Sequence, residues 1–181
     1  LDQSIARLKA RNIFGEIKKT VTDGTNSDKK IIELQVEEKP TGEISAGAGI
    51  GTSGGSLQFA ISENNWLGKG INLITSMNLS AETFAGTLAV NNPNYNYSGN
   101  ALNYFISHSS NDKPDSGFKN NITSTGIGTN FEQYRNVYIS PNLSLSYDDL
   151  TVESTASTAL AKQAGTFTDL SFDYGISLDN R

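Results

Sequence analysis

The chain has no cysteine, a single histidine and no hydrophobic run that approaches the ~20 residues of a transmembrane helix. Each absence removes a class. Without cysteine there is no disulfide scaffold and no thiolate metal site. The one histidine, His108, has no second His, no Cys and no well-placed acid to accompany it, so a His-based metal set or catalytic role is not expected. Without a long apolar run the chain is not a helical membrane protein. Basic charge is also scarce: 14 Lys and Arg against 19 Asp and Glu leave a net charge of -5, so no nucleic-acid partner is expected. Seven of the 14 fall within the first 30 residues. The first residues, Leu1-Asp2-Gln3-Ser4, lack an initiating Met, a basic segment and an apolar segment, so they are not a signal peptide and the chain reads as an internal fragment.

What is present is small polar residues in alternation with apolar ones. Mean hydropathy is -0.38 with 36% hydrophobic residues. A membrane β-barrel has this average, because lipid-facing apolar residues alternate with polar lumen residues.

The first 39 residues differ from the rest. Ile5, Leu8, Ala10 and Ile13 recur near one helical face, with Ser4 as N-cap and Phe14-Gly15 as the stop. Glu16 to Thr22 reads as a strand, Asp23-Gly24-Thr25-Asn26-Ser27 as a turn, and Lys30 to Glu38 as a second strand. This order is the tail of a small α/β unit. Pro40-Thr41-Gly42 closes it, giving domains over 1–39 and 40–181.

From Glu43 onward the period is two, in eight segments. Their apolar positions are Ile44–Ile50, Leu57–Ile61, Ile71–Leu79, Phe84–Val90, Leu102–Ile106, a Thr-rich Lys119–Phe131, Val137–Tyr147 and Leu170–Leu178. Segments of about ten residues exceed the usual five or six of globular sheets and suit a tilted membrane strand. The fold class is therefore mainly β: an antiparallel transmembrane barrel, about eight strands of it, after an α/β unit. The inward residues are mostly Gly, Ser, Asn, Thr and Ala. They fill a narrow eight-stranded barrel poorly, which implies further strands beyond Arg181.

Alternate turns fall on the same side of such a sheet. One set is Thr52–Gly55, Ala81–Thr83, His108–Gly117 and Asp148–Gly165. The other is Asn64–Gly70, Asn91–Gly99 and Phe131–Asn136, and it holds Trp66, Tyr95, Tyr97, Phe131 and Tyr134. Aromatics gathered at one rim read as an interfacial girdle. The longer connections of the first set read as extracellular, which places the aromatic rim and the N-terminal unit in the periplasm. The first strand is unusual in carrying Gly47, Gly49 and Gly51. Glycine weakens a strand interior, and a weak edge invites another strand to add by β-augmentation. A bulged strand without such a role is the plainer reading.

Several residues carry no chemistry. His108 lies in an expected loop without a partner base or acid. Asp112, Asp115 and Asp148-Asp149 read as solvated loop residues, since no EF-hand spacing surrounds them. Gly47-x-Gly49-x-Gly51 has no helix after it and is not a dinucleotide fingerprint. No catalytic residue, metal ligand or cofactor is expected, and the chain does not read as an enzyme.

Certain motifs resemble a known family. Val36-Glu37-Glu38-Lys39-Pro40-Thr41-Gly42-Glu43, followed by Gly47-Ala48-Gly49-Ile50-Gly51, resembles the junction between the last POTRA domain and the first barrel strand in BamA-type proteins of the surface-antigen barrel family. Ser62-Glu63-Asn64-Asn65-Trp66-Leu67-Gly68-Lys69-Gly70 is similar to that family's turn after the second strand, and Asn91-Asn92-Pro93-Asn94-Tyr95 to the turn after the fourth. Ala10-Arg11-Asn12-Ile13-Phe14 resembles a POTRA helix end. The resemblance implies a 16-stranded barrel in the bacterial outer membrane with periplasmic POTRA domains. It implies that the first strand, Glu43, Ile44, Ser45, Ala46, Gly47, Ala48, Gly49, Ile50 and Gly51, is the edge of a lateral gate. The implied partners are unfolded outer-membrane clients, accessory lipoproteins of the assembly complex and the lipid bilayer. The family's Arg-Gly-Phe loop motif is not in this sequence. Two alternatives stand beside assembly: a secretion or translocation pore of the same superfamily, and a soluble β-sandwich binding protein. A passive porin needs no POTRA-like unit and fits less well.

Overall fold

The computed structural model describes residues 1–26, 28–51 and 54–179. It opens with a helix, α1 (Asp2–Ala10), and a hairpin of β1 (Phe14–Asp23) and β2 (Lys30–Glu38). Three details differ from the sequence reading. Leu1, not Ser4, precedes the helix, and no side chain caps it. Ile13 lies beyond the helix, where it is the one buried hydrophobic residue among those described. Phe14-Gly15 opens β1 rather than stopping α1, because Asn12, with φ 57, has already reversed the chain. Left-handed backbone at an Asn ends a helix at little cost. Lys19 Nζ donates to Asp2 Oδ1 at 2.7 Å, which ties α1 to β1 and holds the Asp2 carboxyl below its usual range. In the turn between β1 and β2, Ser27 lies outside the described residues.

Eight further strands follow: β3 (Gly42–Gly51), β4 (Gly54–Trp66), β5 (Ile71–Ser80), β6 (Thr83–Tyr95), β7 (Asn100–Lys113), β8 (Phe118–Tyr134), β9 (Val137–Val152) and β10 (Gly165–Leu178). They form one antiparallel sheet in sequential order, from β3 at one edge to β10 at the other. Thr52 and Ser53, part of the first expected turn, lie outside the described residues. The strands run into both long expected loops, taking 108–113 of the first and 148–152 of the second, while 153–164 remains the longest connection of the sheet. His108 and Asp112 sit on β7, and Asp148-Asp149 sit on β9. Asp115 stands in a short 3-10 turn, Pro114–Ser116. Between β9 and β10 a brief helix, α2 (Thr158–Ala161), starts at Ser157, whose hydroxyl accepts the Leu160 N–H at 3.2 Å.

Register makes the two faces explicit. Residues directly opposite across the sheet share a face. One row runs Ile44, Ile61, Thr75, Leu88, Ile106, Thr125, Leu145, Leu170. Its six aliphatic members are all exposed. The adjacent row on the other face runs Ser45, Ala60, Ser76, Thr87, Ser107, Ser124, Ser146, Asp169. There Thr87, Ser107, Ser124 and Ser146 are half-buried. A curving sheet crowds its inner face and spreads its outer one, so the polar face is the inner. This is the reverse of a water-soluble sheet. A β-sandwich would bury an apolar layer between two packed sheets, and no such layer exists among the described residues.

The outward apolar stretch also drifts across the register. On β3 it runs from Ile44 to Ile50, centred about three residues to one side of that first row; on β10 it runs from Leu170 to Leu178, centred about four residues to the other side. The drift is about one residue for each step between strands. With ~3.3 Å rise and ~4.8 Å spacing, that slope is roughly 35°. A band level with a bilayer crosses tilted strands at such an angle, since barrel strands tilt by about 35–45°.

Candidate functional site

The candidate gate residues, Glu43 to Gly51, all lie on β3 and are exposed throughout. The strand pairs in unbroken register with β4, from Gly42 opposite Glu63 to Gly51 opposite Gly54. Among the described residues no strand pairs with its other side. Its outward side chains are only Ile44, Ala46, Ala48 and Ile50. Ile44 is 79% exposed and Ile50 96%. At Gly47 and Gly51 an added Cβ would meet nothing within 4 Å, whereas at Gly49 it would lie 3.1 Å from Ser56 Oγ. Glycine at the first two positions is thus not required by packing. It leaves the edge thin and conformationally free.

The base of β3 is held by a residue that sequence reasoning passed over. Thr41 Oγ1 donates to Glu63 Oε1, which also accepts the Asn65 N–H at 2.7 Å. A Cβ on Gly42 would stand 3.0 Å from Glu63 Oε2. The Pro40-Thr41-Gly42 boundary is therefore fastened to the start of the β4–β5 turn. The available signal was register, since Gly42 faces Glu63, and register is not read from a single strand.

The aromatic residues fall at one end of the sheet. Trp66, Tyr95 and Tyr134 each terminate a strand, and Tyr97 stands in the turn after β6, 93% exposed with φ 56. Phe131 is set further in, opposite Ile139 on β9. The opposite end carries Phe84 and Phe118 at or beside strand starts, so the contrast between rims is weaker than the turns alone suggest. His108 is accounted for by packing: its Nδ1 lies 2.8 Å from Thr123 Oγ1, and its ring centroid lies 6.0 Å from that of Phe84. Among the described residues no group of three His, Cys, Asp or Glu is placed to hold a metal.

No protein-family model matches the chain. Among solved structures, BamA from Haemophilus ducreyi lacking POTRA domains 1-3 is similar over 99% of this chain and 38% of that one, with a TM-score of 0.75 and 19% identity. CdiB from Escherichia coli is similar over 93% of this chain and 34% of that one, with a TM-score of 0.58 and 17% identity. The chain thus spans well under half the length of either. At these identities the likeness establishes architecture: this chain has a BamA-type barrel fold, present as an open antiparallel sheet.

Proposed function

We propose that the chain is part of a BamA-type factor that assembles and inserts β-barrel proteins into the bacterial outer membrane, with β3 as the edge of its lateral gate. The observation that carries the reading is the thin, glycine-rich β3, whose outward side chains are only two isoleucines and two alanines, on a sheet whose apolar face is outward. Backbone groups in lipid must be paired, so an edge there has to meet another strand. A thin edge with few side-chain contacts exchanges partners at low cost, and a client strand adds to it by β-augmentation. The alternative is a secretion pore of the same architecture, and the likeness in fold extends to both BamA and CdiB. In this reading residues 1–39 are the end of a periplasmic POTRA domain, and Trp66, Tyr95, Tyr97, Phe131 and Tyr134 anchor the periplasmic rim in the bilayer. Accessory lipoproteins are further expected partners.

The test is depletion of the full-length protein in its host, followed by quantification of folded porins in the outer membrane. Loss of many unrelated barrels together is the expected result. Persistence of porins with loss of one secreted protein would make the parent a dedicated secretion pore and remove β3 from the gate role.

A further inference from the structure

Between the N-terminal unit and the sheet there is a cleft. The stretch from α1 to β1 forms one wall and the turns after β4 and β6 form the other. Two cations line it, Arg11 and Lys69, together with Asn92, Asn94, Ile71 and Tyr97. Arg11 lies over the backbone of the β4–β5 turn: a Cβ on Gly70 would stand 2.8 Å from its Nη1. Gly70 also has φ 63, a backbone region that favours glycine, whereas the Arg11 tip is the flexible end of its side chain and would give way.

The charge of the cleft is unbalanced. None of the ion pairs among the described residues involves Arg11 or Lys69, and no carboxylate lines the walls. Lys39 adds a third cation beside it, donating to Asn12 Oδ1 at 2.7 Å. The asparagines add donors. Asn92 Oδ1 accepts the Asn94 N–H at 3.1 Å, and Asn94 Oδ1 accepts the Gly99 N–H at 2.8 Å. With the oxygens turned to the backbone, each Nδ2 is left to donate elsewhere.

The surroundings indicate what anion fits. Ile71 pairs with Trp66 at the end of the outward apolar face, and Tyr97 projects from the next turn. Cations and amide donors stand directly below a strip that faces hydrocarbon. This is the complement of a phospholipid, with its phosphate in the cleft and its acyl chains along the strip. We propose that the cleft binds the phosphate headgroup of an anionic phospholipid in the leaflet next to the aromatic rim. The proposal rests on the membrane-barrel part of the proposed function, not on the assembly role.

Native mass spectrometry tests it, on the full-length protein released from micelles holding equal phosphatidylglycerol and phosphatidylethanolamine. The wild type is expected to retain phosphatidylglycerol in preference. Arg11→Gln and Lys69→Gln are each expected to lower that retention about fivefold, the effect of one cation near an anionic surface. Arg11→Lys keeps the charge and should keep the lipid, and Lys162→Gln, at the other end of the sheet, should change nothing. Equal retention of both lipids by the wild type overturns the proposal, as does undiminished retention by the doubly neutralised protein. Displacement of the lipid by millimolar inorganic phosphate also overturns it, because that marks a small-anion site. Lipid retention needs no client, so normal porin levels after depletion would end the assembly reading and leave the headgroup site standing.

Discussion

At the scale of single residues, the inner face holds one contact that alternation does not explain. Phe105 points to the polar side of β7, directly opposite Gly126 on β8. A Cβ on Gly126 would overlap the Phe105 ring and lie 3.1 Å from the Leu143 carbonyl oxygen. The ring covers the glycine and shields backbone that a bare strand would leave open. Gly126→Ala is therefore expected to destabilise the folded sheet by about 1–3 kcal/mol, the usual cost of overpacking. Urea titration of the full-length protein in bilayers reads this, and Phe105→Leu in the same background should restore part of the loss. A neutral Gly126→Ala would mean that the ring moves freely and packs nothing. In the sequence Phe105 interrupts the pattern of Tyr104 and Ile106, and only pairing reveals its partner.

At the scale of elements, the first and last described strands of the sheet are unlike. β10 has 14 residues and carries Leu170, Phe172, Tyr174, Ile176 and Leu178 outward, whereas β3 has 10 and carries two isoleucines and two alanines. Gly47→Thr with Gly51→Thr adds Cβ atoms into open space. Each change is expected to stabilise the strand by roughly 0.5–1 kcal/mol, the entropy that glycine loses on ordering. If β3 must release its partner during assembly, the stiffer strand slows client folding. The measurement is single-turnover folding of a porin by the full-length protein in liposomes. An unchanged rate with a more stable strand would separate β3 from the assembly step. The strand cores were legible in the sequence as runs of alternation. Their outer ends were not: Asn111 faces Asn120 and Asp112 faces Lys119, with a 3.5 Å ion pair between the last two. Both faces are polar there, so the period vanishes while the ladder continues.

At the scale of the molecule, the arrangement is a sheet with its apolar side out, tilted to a level band. That geometry predicts opposite tolerance on neighbouring residues. Leu145 lies on the outer face and Ser146 on the inner. Leu145→Arg is expected to cost about 2–4 kcal/mol near the bilayer midplane, whereas lumen positions tolerate charge. Folding yield of Leu145→Arg and Ser146→Arg into liposomes, compared at equal urea, checks this. Equal tolerance at the two positions would contradict an outward lipid face.

Much of this was determined by the sequence alone. Alternation sets which face of each strand is apolar, since side chains alternate with a period of two whatever the neighbours are. Turn residues mark where strands reverse, and the change of pattern at Pro40 falls between the two-stranded sheet and the eight-stranded one. The tertiary structure decided what depends on pairing between distant segments. It set the register that lines Ile44 up with Leu170, the fastening of Thr41 to Glu63, and the cover of Phe105 over Gly126. It also brought Arg11 over Gly70, 59 positions away in the chain. A local period carries no information about which strand lies opposite, and hydrogen bonding across the sheet supplies it.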